Sequence, residues 1–200
     1  MISRRVMQRI RVVGNSGSGK TTFARRLATH LNLPYRELDE VFWGPNWRRR
    51  DLSEAKTDLQ DWLTTAGTDG WIIDGNWNNR IGDLLAAADT IIWLDYPRRT
   101  IMYRVIRRTI SRIVTGQEIW HGNRERPRNL FKWNPEDNII RWAWTEHNNY
   151  RHRYQQLAER DRRVIRIPNP ATARKLIAIA ARHVDRDYPP FGSSSLPVAA

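Results

Sequence analysis

Cysteine is absent from this 200-residue chain. That excludes disulfides, iron–sulfur clusters, thiolate zinc sites and a cysteine nucleophile. Long apolar runs are absent as well, with nothing near the ~18–20 residues that a membrane span needs. After Met1-Ile2-Ser3-Arg4-Arg5 there is no apolar stretch long enough for a secretory signal, so a cytoplasmic protein with no membrane attachment is expected. Histidine is sparse, and His121 and His147 have no partner at ligand spacing, which argues against a histidine metal site. Acidic residues are in deficit: 21 Asp and Glu stand against 34 Lys and Arg, a net charge of +13. Hydrophobic residues make up 40% and charged residues 28%, the balance of a globular protein and not of a disordered one.

The positive charge is concentrated. Residues 98–166 hold 17 basic and 7 acidic side chains, so one third of the chain carries most of the excess. A field of this sign favours anionic partners: phosphorylated small molecules, a membrane surface, or nucleic acid bound nonspecifically through a basic surface.

Apolar patterning divides the chain into alternating strands and helices. Ile10-Arg11-Val12-Val13, Tyr35-Arg36-Glu37-Leu38-Asp39, Trp71-Ile72-Ile73-Asp74, Thr90-Ile91-Ile92-Trp93-Leu94-Asp95 and Arg163-Val164-Ile165-Arg166-Ile167 read as five strands. Helical spacing follows the first strand in Phe23, Leu27 and Leu31. Asp51 with Glu54 resembles a capping box for a helix through Ala55, Leu59 and Trp62. A short helix is expected over about 80–88, a long one after Pro97, another over 138–160, and a last one opened by Asn169-Pro170. Strands alternating with helices imply an α/β fold with a parallel sheet covered on both faces. The expected organisation is one domain over 1–185 with a polar, basic insertion at about 115–137. Residues 186–200, rich in Pro, Gly and Ser, are expected to be a disordered tail.

Gly14-Asn15-Ser16-Gly17-Ser18-Gly19-Lys20-Thr21 is a complete Walker A motif placed between a strand and a helix. Its glycines let backbone N–H groups wind round a phosphate chain at a helix N-terminus, and Thr22 continues that first turn. Lys20 then reaches the outer phosphates, and the Thr21 hydroxyl can ligate Mg²⁺. No Asn-Lys-x-Asp base-reading motif is present, which argues against a GTPase. The strands end in single acids (Asp39, Asp74, Asp95), unlike the paired acids of motor ATPases. A kinase using ATP and Mg²⁺ fits better.

Together with that loop, three further segments carry a family resemblance: Leu38-Asp39-Glu40-Val41-Phe42-Trp43 with Trp47, Trp71-Ile72-Ile73-Asp74-Gly75-Asn76-Trp77, and Ile91-Ile92-Trp93-Leu94-Asp95-Tyr96-Pro97 with Tyr103-Arg104-Val105-Ile106-Arg107-Arg108. The chain resembles the nucleoside-monophosphate-kinase-like P-loop proteins, most closely the adenylate kinase-like group described as DNA topology modulation proteins. The resemblance implies sheet order 2-3-1-4-5 and a mobile, helical, basic lid carrying Arg124, Arg126 and Arg128. It implies that Asp74 holds the magnesium's water shell, and that Arg104 and Arg108 pack on the adenine and touch the phosphates. Two departures from adenylate kinases bear on the acceptor. The Thr-Gly-Asp segment after strand two is missing, and Asp74-Gly75-Asn76-Trp77, with Arg80 further on, replaces Asp-Gly-x-Pro-Arg.

Phosphoryl transfer needs positioning and charge neutralisation. Lys20, Arg124 and Arg126 are the candidate charge stabilisers, and Asp39 is the candidate base for an acceptor hydroxyl. Trp43, Trp47 and Trp77 are placed to stack on an acceptor ring, beside Asn76 and Arg80. Trp62, Trp93 and Trp142 have core spacing, and Asp95 reads as a cap for the helix after Pro97. The competing reading is a nucleic-acid-binding protein with ATP as a switch. It lacks a helix-turn-helix, zinc-finger or RNP signature.

Overall fold

The structure is a computed structural model that describes residues 7–187. Its strands are β1 (Arg9–Gly14), β2 (Tyr35–Glu37), β3 (Trp71–Asp74), β4 (Thr90–Leu94), β5 (Glu118–Ile119), β6 (Asn123–Arg124) and β7 (Val164–Ile167). Its helices are α1 (Lys20–Leu31), α2 (Leu38–Phe42), α3 (Leu52–Thr65), α4 (Asn78–Ile81), α5 (Arg98–Thr115), α6 (Ile139–Arg160) and α7 (Pro170–Asp187). Five strands form one sheet in the order β2-β3-β1-β4-β7, all parallel. With the two-residue antiparallel pair β5–β6 set aside, this is the expected 2-3-1-4-5 order.

Alternation along the strands assigns each face its cover. Ile10, Val12, Ile72 and Ile92 point to one side, where Phe23, Ala24 and Leu27 of α1 and Ala173 of α7 close over them. On the other side Trp71 and Ile73 meet Leu38, Val41 and Phe42 of α2 and Leu59 of α3. Val13, Ile91 and Trp93 meet Tyr154 of α6 on that same side. β4 is buried throughout, as expected of a strand covered on both faces. Asp51 caps α3, its carboxylate accepting from the backbone N–H of Ser53 and Glu54.

Several expectations are corrected. β2 stops at Glu37, and the chain turns into α2, which carries Asp39. Leu38, Val41 and Phe42 recur at helical spacing and are all buried, so burial overrides the strand pattern. The helix expected over 80–88 is the single turn α4 followed by a 3₁₀ turn over Gly82–Leu85. The insertion contains no α-helix. Its β5–β6 hairpin and 3₁₀ turns at Trp120–Gly122, Pro127–Phe131 and Pro135–Asp137 follow from its glycines and prolines, which break helical continuity. Asp95 caps nothing. It is buried and ion-paired with Arg166 at 2.5 Å and Arg151 at 3.4 Å. Trp93 is core, whereas Trp142 is half-buried and lines the cleft described below. α7 runs through 186 and 187; the rest of the expected tail, and the N-terminal residues read for a signal, lie outside the described residues.

One close approach sets the position of α2. Gly75, just past β3, has φ +130°, and a Cβ there would stand 2.7 Å from the Cβ of Leu38. Gly75→Ala should therefore cost about 2 kcal/mol or more, from backbone strain and displacement of α2. Denaturant unfolding is the check, and a loss below 0.5 kcal/mol, taken as roughly the range of neutral surface changes, would show that α2 yields freely.

Candidate functional site

β1 delivers the chain to the carboxyl edge of the sheet, and the turn between Gly14 and Lys20 is held from three sides. Asn76 clasps its base: the Gly14 N–H donates to Asn76 Oδ1 at 3.2 Å, and Asn76 Nδ2 donates to the Gly14 carbonyl at 2.6 Å. Asn15 is buried, with Nδ2 donating to the Ala143 carbonyl of α6 at 2.8 Å and Oδ1 accepting from the Ser16 N–H at 2.7 Å. Gly17 has φ +85°, and a Cβ on it would lie 2.8 Å from the Ile101 carbonyl of α5. The loop thus ends in α1, whose N-terminus at Gly19 no side chain caps. Unsatisfied N–H groups at such an end form an anion site.

Cations surround this end without being neutralised. Lys20 Nζ donates to the Asn15 carbonyl at 3.2 Å. Burial lowers its pKa, while Asp39, Asp74 and Glu37 push it back up. From α5, Arg104 donates to the Ser18 carbonyl at 3.0 Å and Arg108 to Ser16 Oγ at 3.3 Å. The Arg104 guanidinium also lies 5.3 Å from the Tyr96 ring centre. Arg108 has a buried Nε with no partner, and burial holds its pKa below the usual guanidinium value. An isolated buried charge is unfavourable, so a polyanion here would satisfy groups that the protein leaves unpaired.

Beside them is a set of oxygens. Thr21 Oγ1 lies 2.9 Å from Asp74 Oδ2 and 3.2 Å from Glu37 Oε1. Tyr35 donates its hydroxyl to Asp74 Oδ1 at 2.6 Å, and Arg25 pairs with Glu37 at 3.3 Å. The register sets Glu37 directly opposite Asp74 on neighbouring strands. Burial first, then the Glu37 charge, push the Asp74 carboxyl up to about 7. Burial and Asp39 raise Glu37 too. Among the described residues no cluster of three or more His, Cys, Asp or Glu could hold a metal unaided. The oxygen-only donor set of Thr21 and the two carboxylates fits a hard cation that keeps water and phosphate ligands.

From this point a cleft of about 1450 Å³ runs to an aromatic end. Trp77 Nε1 donates to Asp39 Oδ1 at 2.7 Å. Trp43 meets Trp47 and Trp77 edge-on, with ring centres 6.0 and 5.5 Å apart. Arg80 lies over the rings of Trp77 and Phe42, at 5.9 and 6.0 Å, and forms no ion pair among the described residues.

Of the residues singled out from sequence, Ser16 to Thr22, Asp39, Trp43, Trp47, Asn76, Trp77, Arg80, Arg104, Arg108 and Arg126 all line this one cleft. Gly14, Asn15 and Asp74 sit behind it. Arg124 is not brought in. Its guanidinium pairs with Glu118 at 2.6 Å, and its carbonyl accepts from Trp47 Nε1 at 3.1 Å. The Asn76 carboxamide is committed to the phosphate loop and to Tyr154, whose hydroxyl donates to it at 3.2 Å. Sequence reading missed Glu37, Tyr35, Arg25 and Trp142. Strand alternation places Tyr35 and Glu37 on one face, but only the register with β3 reveals their target.

No protein-family model matches the chain, and no curated relative does. Solved structures with a similar fold include a gluconokinase from Sinorhizobium meliloti 1021, at 16% identity and TM-score 0.48, covering 92% of this chain and 98% of that one. A shikimate kinase from Acinetobacter baumannii in complex with shikimate aligns at 17% identity and TM-score 0.48, covering 91% and 95%. A shikimate kinase from Bacteroides thetaiotaomicron aligns at 13% and 0.46, covering 90% and 97%. Likenesses this distant carry no functional weight. The strand order and the strand–GxxxxGKT–helix unit at the end of β1 are by themselves those of a P-loop fold.

The Asp74 environment yields a pH prediction. Its carboxyl is harder to ionise folded than unfolded, so its contribution to stability is fully present below pH about 4 and is lost as pH rises through about 7. Asp74→Asn should raise the Tm of the nucleotide-free protein at pH 8, by roughly 2–4 °C per kcal/mol relieved, and change it little at pH 4. Thermal scans at both pH values would contradict this with an equal shift at each.

Proposed function

We propose that the protein is a P-loop kinase that transfers the γ-phosphoryl of ATP to a small acceptor, in the manner of nucleoside-monophosphate kinases. One observation carries this reading: a single cleft holds the uncapped phosphate loop with its unpaired cations at one end and Asp39 among tryptophans at the other. A nucleotide switch has no need of the second end. The nucleic-acid alternative gains no observation of its own, because Arg104, Arg108, Arg112, Arg126 and Arg128 of the basic segment line this cleft. Among the described residues no helix is long and apolar enough to cross a membrane.

In this reading the α1 N-terminus, Lys20 and Arg108 bind the phosphate chain, and Arg104 with Tyr96 flanks the nucleoside. Thr21 would hold Mg²⁺, with Asp74 and Glu37 accepting from its water shell, and the ion would supply positive charge against the phosphates. Trp77 orients Asp39 so that its other oxygen accepts the proton of an acceptor hydroxyl. The acceptor oxygen bonds to the γ-phosphorus as the bond from that phosphorus to the bridging oxygen breaks, and ADP leaves with the pair. Lys20 and Arg126 meet the charge that spreads over the transferred group. Trp43, Trp47 and Trp77 supply ring faces for the acceptor, and Arg80 a free guanidinium.

Lys20→Ala should abolish ADP formation with the circular dichroism spectrum unchanged; persistent turnover in that variant would remove the phosphate loop from the mechanism. A panel of nucleosides, nucleoside monophosphates and small alcohols, screened for ADP release, identifies the acceptor. With that acceptor, Asp39→Asn should lower kcat by about 10²-fold or more, the scale of a lost general base, with Mg·ATP affinity within twofold. Equal losses of kcat and Mg·ATP affinity would instead make Asp39 a structural acid.

A further inference from the structure

The insertion is fastened to the acceptor end of the cleft, and one buried side chain makes two of the hydrogen bonds in that connection. Asn123, on β6, is 3% exposed and is not part of the cleft wall. Its Oδ1 accepts from the Trp47 backbone N–H at 2.8 Å, and its Nδ2 donates to the carbonyls of Gly44 at 2.9 Å and Trp120 at 2.8 Å. One planar carboxamide thereby joins both ends of the 44–47 turn to the hairpin. Only Asn or Gln presents an acceptor and two donors in one group, and Gln is a methylene longer.

The segments joined are both in unfavourable backbone conformations. Asn46, Trp47 and His121 have φ of 56°, 57° and 59°, a region that side chains with a Cβ enter rarely. Such conformations persist where the surroundings over-determine them, and they cluster at ligand clamps. Further ties cross the same junction. Trp47 Nε1 donates to the Arg124 carbonyl at 3.1 Å, His121 Nε2 lies 2.9 Å from the Glu40 carbonyl, and the Trp47 and Trp120 rings meet edge-on at 6.2 Å. Trp47 and Trp120 both line the cleft.

We infer that Asn123 is a positioning residue for the acceptor: from outside the cleft it holds Trp47 in its left-handed conformation and makes the hairpin the outer wall of the acceptor pocket. This rests on the acceptor pocket assigned above. It also divides the insertion by role. The hairpin over 118–124 belongs with the acceptor loop, its Trp120 also hydrogen-bonding Glu37, and Arg126 and Arg128 line the cleft beyond it.

The test compares the full chain with Asn123→Ala and Asn123→Ser by amide hydrogen exchange, without ligand, and by titration with Mg²⁺ and a non-hydrolysable ATP analogue. In Asn123→Ala, the amides of 44–48 and 118–124 should lose protection together, by at least tenfold at Trp47. Those of β1 and α1 should stay within threefold and the analogue's Kd within twofold. Asn123→Ser, which keeps one hydroxyl, should show the same pattern more weakly and serves if the alanine variant does not fold. With an acceptor from the panel, Asn123→Ala should raise its KM at least tenfold and leave kcat and the KM for ATP within twofold. In a Trp47→Gly background, where glycine adopts the left-handed turn unaided, the alanine change should add less than twofold to that KM. Unchanged protection at Trp47, or equal loss across β1 and α1, overturns the inference. Failure of the analogue to bind the unmodified protein would instead remove the kinase reading, with the exchange result standing by itself.

Discussion

The turn after β1 brings cations into a half-buried space without neutralising them, and the rest of this structure follows from that constraint. Lys20, Arg104 and Arg108 approach the turn after β1 from α1 and α5, and each is held by a neutral oxygen, not by a carboxylate. The carboxylates that could have quenched them are engaged elsewhere: Asp74 by the hydroxyls of Thr21 and Tyr35, Glu37 by Thr21 and Arg25, Asp39 by Trp77. Charges of opposite sign are thus kept a short distance apart, by neutral donors at Asp74 and Asp39 and by Thr21 together with the outlying Arg25 at Glu37. Desolvation lowers the pKa values of Lys20 and Arg108 and raises those of Asp74 and Glu37, so a polyphosphate with its cation between the two sets would relieve both.

What could be read from the sequence is what depends on local pattern. The Walker loop, four of the five strands, the capping acid Asp51 and Asn169, which accepts from the Thr172 N–H at 3.0 Å, are each specified by a few adjacent residues, and each is where the pattern places it. Asp39, as an acid at a strand end, and Trp43, Trp47 and Trp77, as large aromatics in Gly- and Asn-rich loops, were legible as candidates, and the structure sets all four along one cleft. The failures arise where long-range packing decides. Residues 38 and 39 look like the end of a strand, yet Leu38 is drawn into a helix because Val41 and Phe42 can then be buried with it against Ile73. Asp95 looks like a cap, yet it sits at the end of a fully buried strand, where Arg166 of the neighbouring strand reaches it.

The opposed carboxylates of Glu37 and Asp74 show the limit most clearly. Nothing in either segment announces the other, 37 residues away, and β2 is only three residues long. Their meeting is a consequence of strand register. The arginine-rich insertion poses the same problem. Arg124, Arg126 and Arg128 alternate in sequence and look equivalent, but β6 turns the Arg124 side chain to Glu118 while the next two basic side chains line the cleft.

That asymmetry explains how one insertion can serve two ends of a cleft. A hairpin anchored by hydrogen bonds to the 44–47 turn cannot swing as one body with the stretch that follows it unless those bonds break. The 3₁₀ turns after Pro127 are tied instead to α6: Asn138 Nδ2 donates to the carbonyls of Leu130 at 3.0 Å and Lys132 at 3.1 Å, while Arg49 meets Glu136 at 3.7 Å between exposed side chains, a pair worth at most about 1 kcal/mol. Phe131 and Trp133 there are 81% exposed. The two halves of the insertion are therefore fastened to different elements, the hairpin to the 44–47 turn and the stretch beyond it to the start of α6. Under the proposed kinase reading, a movement of the second half that excludes water from the transferring group would leave the acceptor wall, held by the hairpin's own bonds to the 44–47 turn, where it stands.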